Sequence, residues 1–205
     1  MIQCVVMDDI NSPSFWDQIY TSGRTGWELG QPTPVFRSLL GEGLFSPGKM
    51  MVLCAGRGYD VRMFARKDFD VTAVDFAEEA VRDMNARMEK HHPIVVLKAD
   101  LFQLPPYMDA SFDYVLEYTC YCVLDPQRRA EYVEKVDRLL TVDGIYIALA
   151  FPVGTHSGGP PFSVSSGELV DPFLELGYKL IRCEVPQDSL PERKGREELI
   201  VLQKG

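Results

Sequence analysis

Apolar runs and amphipathic stretches alternate through the middle of this chain, and their spacing predicts its elements. Met50-Met51-Val52-Leu53 is a short apolar strand that breaks at Cys54-Ala55-Gly56-Arg57-Gly58, and a helix follows over 61–67. A second strand, residues 69–74, ends at Asp75. Ala77, Val81, Met84 and Met88 then recur at helical spacing over 77–90, with Glu78 and Glu79 in the positively polarised first turn. A third strand, 94–99, ends at Asp100, and a fourth, 112–116, ends at Glu117. Asp125-Pro126 supplies a cap and a first-turn proline for a helix to about Leu140, and Asp143-Gly144 turns it into a fifth strand, 145–151.

The flanks carry shorter elements. Ser12 or Ser14 caps a helix through Tyr20, ended by Gly23, and another helix spans 35–44. Over 168–176 the pattern is helical, but Pro172 breaks it or starts a shorter helix after Asp171. Residues 179–185 and 198–202 pair as a hairpin. Strand–helix alternation from residue 50 to 150 predicts an α/β, doubly wound, mostly parallel, Rossmann-like sheet of seven strands with an antiparallel C-terminal edge. The whole chain is expected to be one domain, with an N-terminal helical lid over about 1–36 and the core over 37–205.

The glycine turn carries the first candidate chemistry. Glycines between strand and helix let the backbone bend sharply and approach a ligand where a Cβ would collide. Asp75, at the tip of the second strand, is placed to accept hydrogen bonds from the ribose hydroxyls of an adenosine-containing cofactor. A dinucleotide loop calls for a third small residue three positions after Gly58, where this chain has Val61. The turn therefore suits an adenosine ligand without a pyrophosphate, such as S-adenosylmethionine (SAM), better than a nicotinamide dinucleotide. Acids at three successive strand ends, Asp75, Asp100 and Glu117, mark the ligand-binding edge of such a sheet. The long loop 152–167 lies at the same edge. Both tryptophans, Trp16 and Trp27, stand ahead of the core with Tyr20 between them. They form either an arm packed on the core or a lid whose rings attract a sulfonium cation.

Composition narrows the partners. A net charge of −9 argues against nucleic acid, and the basic clusters Arg62/Arg66/Lys67 and Arg193/Lys194/Arg196 are interleaved with other residue types. The apolar runs are too short to cross a bilayer, and the start of the chain lacks a signal peptide's basic region, so a cytoplasmic protein is expected. The five cysteines, Cys4, Cys54, Cys120, Cys122 and Cys183, have no zinc-type pairing and are expected to be reduced thiols. His91, His92 and His156 lack the partners of a metal site, and none is expected.

Together these residues resemble the class I SAM-dependent methyltransferases. More narrowly, they are similar to the thiopurine S-methyltransferase family and its thiol and halide branch. The resemblance is carried by Trp16…Gly23-Arg24-Thr25-Gly26-Trp27-Glu28…Gly30, Cys54-Ala55-Gly56-Arg57-Gly58-Tyr59-Asp60-Val61, residues 112–119, Pro126…Arg129, and Gly158-Gly159-Pro160-Pro161-Phe162-Ser163-Val164. It implies SAM as cofactor, with S-adenosylhomocysteine (SAH) as product. It further implies lid contacts from Trp16, Tyr20 and Trp27, and contacts to the methionine moiety from Cys54 and Gly56 beside Gly58. Asp75 and Phe76 would meet the ribose region, and Asp100 and Leu101 the adenine. Glu117 and Tyr118 would flank the sulfonium and the acceptor pocket as the catalytic pair. Two positions depart from the family pattern: Cys54 replaces a glycine, and Glu117 stands where aspartate is more usual.

The expected activity is methyl transfer from SAM to a small soft nucleophile: a thiol or hydrosulfide, or else a halide or thiocyanate. The protein is expected to act as a monomer on a small molecule, without nucleic acid or membrane. Three rivals stand beside it: a SAM-dependent methyltransferase of another small molecule, a nicotinamide-dependent oxidoreductase, and a non-catalytic SAM-binding regulatory module. The oxidoreductase is disfavoured by Val61 and by the lack of a second domain.

Overall fold

Alternate residues of one strand set the two faces of the core. On β1 (Lys49–Leu53), Met51 and Leu53 point to one side of the sheet, and Met50 and Val52 to the other. The computed structural model describes residues 9–89, 91–92 and 94–205. These form β1, β2 (Asp70–Asp75), β3 (Ile94–Lys98), β4 (Phe112–Tyr118), β5 (Leu140–Ala150), β6 (Lys179–Glu184) and β7 (Glu198–Gln203), in the order β3-β2-β1-β4-β5-β7-β6. The first five are parallel, and β7 runs antiparallel between β5 and β6. This is the expected Rossmann-like sheet with its antiparallel edge. Chain direction across the sheet reverses between β1 and β4, which opens a crevice at their carboxyl ends.

Helices cover both faces. Phe36 and Leu39 of α2 (Pro34–Gly41), Val61 and Phe64 of α3 (Tyr59–Ala65), and Met84 of α4 (Glu78–Ala86) bury against Met50 and Val52. On the other face Tyr132, Val133 and Val136 of α5 (Arg129–Leu139) pack with Leu169 and Phe173 of α6 (Ser166–Glu175). Phe36 belongs to this core, so α2 sits with the sheet rather than with the N-terminal arm. The arm's own helix, α1 (Pro13–Thr21), docks on α4, where Asp17 accepts the first-turn N–H of Glu79 at 3.1 Å.

Three local expectations shift. α4 ends at Ala86, short of Met88, and Lys90 lies outside the described residues. Asp143-Gly144 does not precede β5 but sits inside it as a bulge, since Leu140 pairs with Phe112 while Ile145 pairs with Tyr114. Pro172 does not break α6. The Glu168 carbonyl, which a residue-172 N–H would have bonded, receives the Tyr121 hydroxyl at 3.5 Å instead. No helix among the described residues is long and apolar enough to cross a membrane.

Candidate active site

Four strand ends and the N-terminal arm build one pocket. It is lined by Trp16, Tyr20 and Trp27 from the arm, Cys54 and Gly56 after β1, Asp75 and Phe76 after β2, Asp100 and Leu101 after β3, and Tyr118 at the end of β4. Ten of the residues singled out in the sequence therefore converge. Trp27 stands edge-on to both Trp16 and Tyr20, with ring centroids 5.8 and 5.5 Å apart.

Gly56 and Gly58 divide the labour of the turn. Gly56 lies at φ +54°, and a Cβ there would stand 3.2 Å from the Tyr20 hydroxyl, narrowing the cradle beneath the N-terminal arm. Gly58, at φ +70°, is not on the lining. Its missing Cβ would strike Met84 at 2.5 Å, so it lets α3 pack close to α4. Glu117 also departs from expectation. Side chains alternate along β4, so Leu116 and Tyr118 face the pocket while Glu117 points to the opposite face of the sheet. There its carboxylate accepts the Cys120 and Tyr121 N–H groups at 3.0 and 3.1 Å, and burial pushes its pKa up to about 7. It shapes the wall of the site and does not touch the pocket.

The carboxylates that do line the pocket are already engaged. Asp75 accepts the Gly56 N–H at 2.9 Å and the Ala77 N–H at 3.0 Å; burial raises its pKa to about 6. Asp60 takes both the backbone N–H and the hydroxyl of Thr33 at 2.7 Å, and burial again raises its pKa to about 6. Asp100 accepts the Phe102 N–H at 2.9 Å. Glu28 pairs with Arg57 at 3.0 Å, and Arg57 also pairs with Asp83 at the same distance. Tyr118 is a neutral hydroxyl, its pKa driven well up by burial. It donates to Glu197 and accepts from Arg193 at 2.7 Å. No histidine lines the pocket, and no cluster of metal-ligating side chains occurs among the described residues.

Sequence reasoning assigned no role to Thr33, Phe36, Arg57, Asp60, Phe102 or Thr119, all on the lining. Arg57 and Asp60 sit inside the Gly-Arg-Gly-Tyr-Asp turn, which was the available signal. The cysteines also differ from expectation. Cys54 and Cys120 are joined as a disulfide, because β1 and β4 are neighbours whose ends bring the two Cα atoms to 5.4 Å. Cys122 and Cys183 are free, and Cys4 lies outside the described residues. The loop 152–167 does not line the pocket; it braces its wall, where the Phe162 N–H meets the Cys122 carbonyl at 2.6 Å.

Comparisons with known proteins point the same way. Residues 11–204 match the family described as thiopurine S-methyltransferase. The chain is 32% identical over 192 residues to a probable thiol methyltransferase 2 of Arabidopsis thaliana, covering 92% of this chain and 84% of the other. It is 28% identical over 187 residues to thiocyanate methyltransferase 1 of Brassica oleracea, covering 90% and 82%. Among solved structures, a 1,6-didemethyltoxoflavin-N1-methyltransferase of Burkholderia thailandensis superposes with a TM-score of 0.70 at 20% identity, covering 94% and 86%; that similarity speaks for the fold.

Proposed function

From its membership of the thiopurine S-methyltransferase family, to which this chain belongs, we infer that it transfers a methyl group from SAM to a small, soft nucleophile, most readily a thiol or hydrosulfide. Bound SAM supplies a methyl carbon already activated by its sulfonium, so the protein's part is alignment and enclosure. The pocket's own features fit such a ligand. Gly56 leaves room for it under the lid, Asp75 offers a buried carboxylate to the ribose hydroxyls, and the rings of Trp16, Tyr20 and Trp27 offer π-faces to a cation. Asp100 and Leu101 would hold the adenine, Phe76 would meet the ribose region, and Cys54 and Gly56 would hold the methionine end. Gly58 and Glu117 support from behind.

One observation carries the choice of acceptor: among the described residues, each carboxylate lining the pocket accepts a hydrogen bond from a protein donor, Glu28 from the Thr25 hydroxyl at 3.0 Å, and no histidine is present there. Tyr118 donates its hydroxyl hydrogen bond to Glu197 and keeps its proton, so it supplies no base. A hydroxyl acceptor would need one. A thiol with pKa near 8.5 is about 3% ionised at pH 7, and ionising it costs roughly 2 kcal/mol, small beside the ~8–23 kcal/mol enzymes remove from barriers. A thiocyanate or halide needs no base at all.

The test is a screen with methyl-labelled SAM against hydrosulfide, small thiols, thiocyanate, iodide and thiopurines, beside a calorimetric titration with SAH. Label should appear in the sulfur or halide products. Tight SAH binding with no transfer to any acceptor would instead favour the non-catalytic module.

A further inference from the structure

Arg193 stands in the loop between β6 and β7 and is only 5% exposed. Its Nη1 donates to the Tyr118 hydroxyl at 2.7 Å, and its Nη2 donates to the Trp27 carbonyl at 2.9 Å and the Gly26 carbonyl at 3.3 Å. Its guanidinium lies over the Phe151 ring, 4.3 Å from the centroid. Tyr118 passes the contact on to Glu197, itself 2% exposed, so the buried cation reaches an anion through one hydroxyl. Three distant parts of the chain thus meet on one side chain: the arm, the end of β4 and the β6–β7 loop.

We propose that Arg193 is the latch that holds the arm closed over the pocket, a positioning residue acting through Trp27 and Tyr118. The proposal rests on the reading of the pocket as a SAM site, and it adds what controls entry and release. Trp27 is the pivot of the aromatic cluster, touching both Trp16 and Tyr20, so fixing its carbonyl fixes the ring that roofs the pocket. The following stretch is pinned separately, by Glu28 to Arg57 and by Thr33 to Asp60. Arg193 therefore governs the Gly26–Trp27 turn in particular. A planar fork of N–H donors reaches two carbonyls and a hydroxyl at once, which the single ammonium of a lysine cannot do in the same geometry. Both latch bonds to the arm are charge-assisted, and opening the arm breaks them while leaving the guanidinium without its acceptors. Closing and opening are thereby made discrete. The same residue orients Tyr118: with Arg193 donating to its oxygen, the hydroxyl proton is turned toward Glu197 and away from the pocket.

The test uses Arg193→Met and Arg193→Lys in the full chain, with two readouts that do not depend on turnover. Trypsin cuts after Arg24, which is exposed on the arm, and release of the 25–205 fragment reports opening. Tryptophan emission reports the arm, since Trp16 and Trp27 are the two tryptophans of the protein. Without ligand, Arg193→Met should be cut at least about tenfold faster than wild type and emit to the red, with Arg193→Lys in between. SAH should bind at least about tenfold more weakly to Arg193→Met, through faster dissociation, and should protect wild type from trypsin far better than the variant. Arg193→Lys retains the charge and serves as the test if Arg193→Met does not melt cooperatively. Wild-type cleavage, emission and SAH dissociation in a folded variant would overturn the latch. Failure of wild type to bind SAH would overturn the SAM reading, while the ligand-free cleavage and emission still decide the latch.

Discussion

The carboxylate of Asp75 accepts the backbone N–H of Gly56 at 2.9 Å, so the tip of β2 holds the turn that follows β1. One side chain shapes the cradle and, in the proposed reading, would also set its affinity for SAM. Burial raises its pKa to about 6, and ribose hydroxyls bond more strongly to the ionised form than to the neutral acid. SAH affinity should accordingly be level above about pH 7 and fall below about pH 6, by at most about tenfold per pH unit. Asp75→Asn should remove that dependence, and Asp75→Ala should weaken binding by roughly 2 kcal/mol or more at pH 8, about thirtyfold. Calorimetric titrations from pH 5 to 8 check both, and unchanged affinity in folded Asp75→Ala would remove Asp75 from the binding site.

Glu117 predicts a stability effect of the opposite kind to the usual salt-bridged carboxylate. Its folded pKa of about 7 lies above the ordinary glutamate value, so the native state holds the proton more tightly than the unfolded chain. Its contribution is greatest below about pH 4.5, declines as pH rises, and is spent above about pH 7. Both backbone donors meet one oxygen, Oε2, which a glutamine can reproduce. Glu117→Gln should stabilise the protein at pH 8 by up to ~2–3 kcal/mol and leave little difference near pH 4.5. Urea unfolding across that range measures it; a destabilised variant at pH 8 would contradict the burial argument.

The strand tips, the glycine turn and the paired aromatics were legible in the sequence because each is a local pattern with its own chemistry. Glu117 was placed on the wrong side by reading strand ends as equivalent, although period-two alternation separates it from Leu116 and Tyr118. Gly58 was grouped with Gly56, yet only a three-dimensional neighbour, Met84, shows which way its missing Cβ faces. Arg193 stands in the sequence as one of the basic cluster Arg193/Lys194/Arg196, with nothing local to single it out. Its partners lie 75 to 167 residues away, beyond what local spacing can reveal. The Cys54–Cys120 bond, at a separation of 66 residues, is hidden for the same reason.

The arm before Pro34 should be dispensable for folding and required for binding. It contributes its own small cluster of Trp16 and Tyr20 with Ala77 and Ala80, while the two larger cores are built from residue 35 onward. Deleting residues 1–30 should leave a cooperatively melting domain that binds SAH poorly and transfers no methyl groups. Retained normal turnover would show that the arm is not a lid.

Acceptors should divide by pH. If a thiol reacts as its thiolate without a protein base, kcat/KM should climb about tenfold per pH unit up to the thiol's pKa and then level off. Thiocyanate or iodide, always ionised, should give a level profile above about pH 7, where Asp75 is ionised. A thiol profile flat well below pH 7 would require a base that the pocket's engaged carboxylates do not provide.

The most direct test of the central claim offers both nucleophiles in one molecule. 2-Mercaptoethanol carries a thiol and a hydroxyl on the same short chain, so binding and access are shared and only the reacting atom differs. The protein is incubated with SAM bearing a ¹³C-labelled methyl group, and the product is read by its methyl carbon resonance. The account predicts the S-methyl thioether alone, formed together with SAH. An O-methyl ether, or no transfer from a protein that binds SAH, would contradict it.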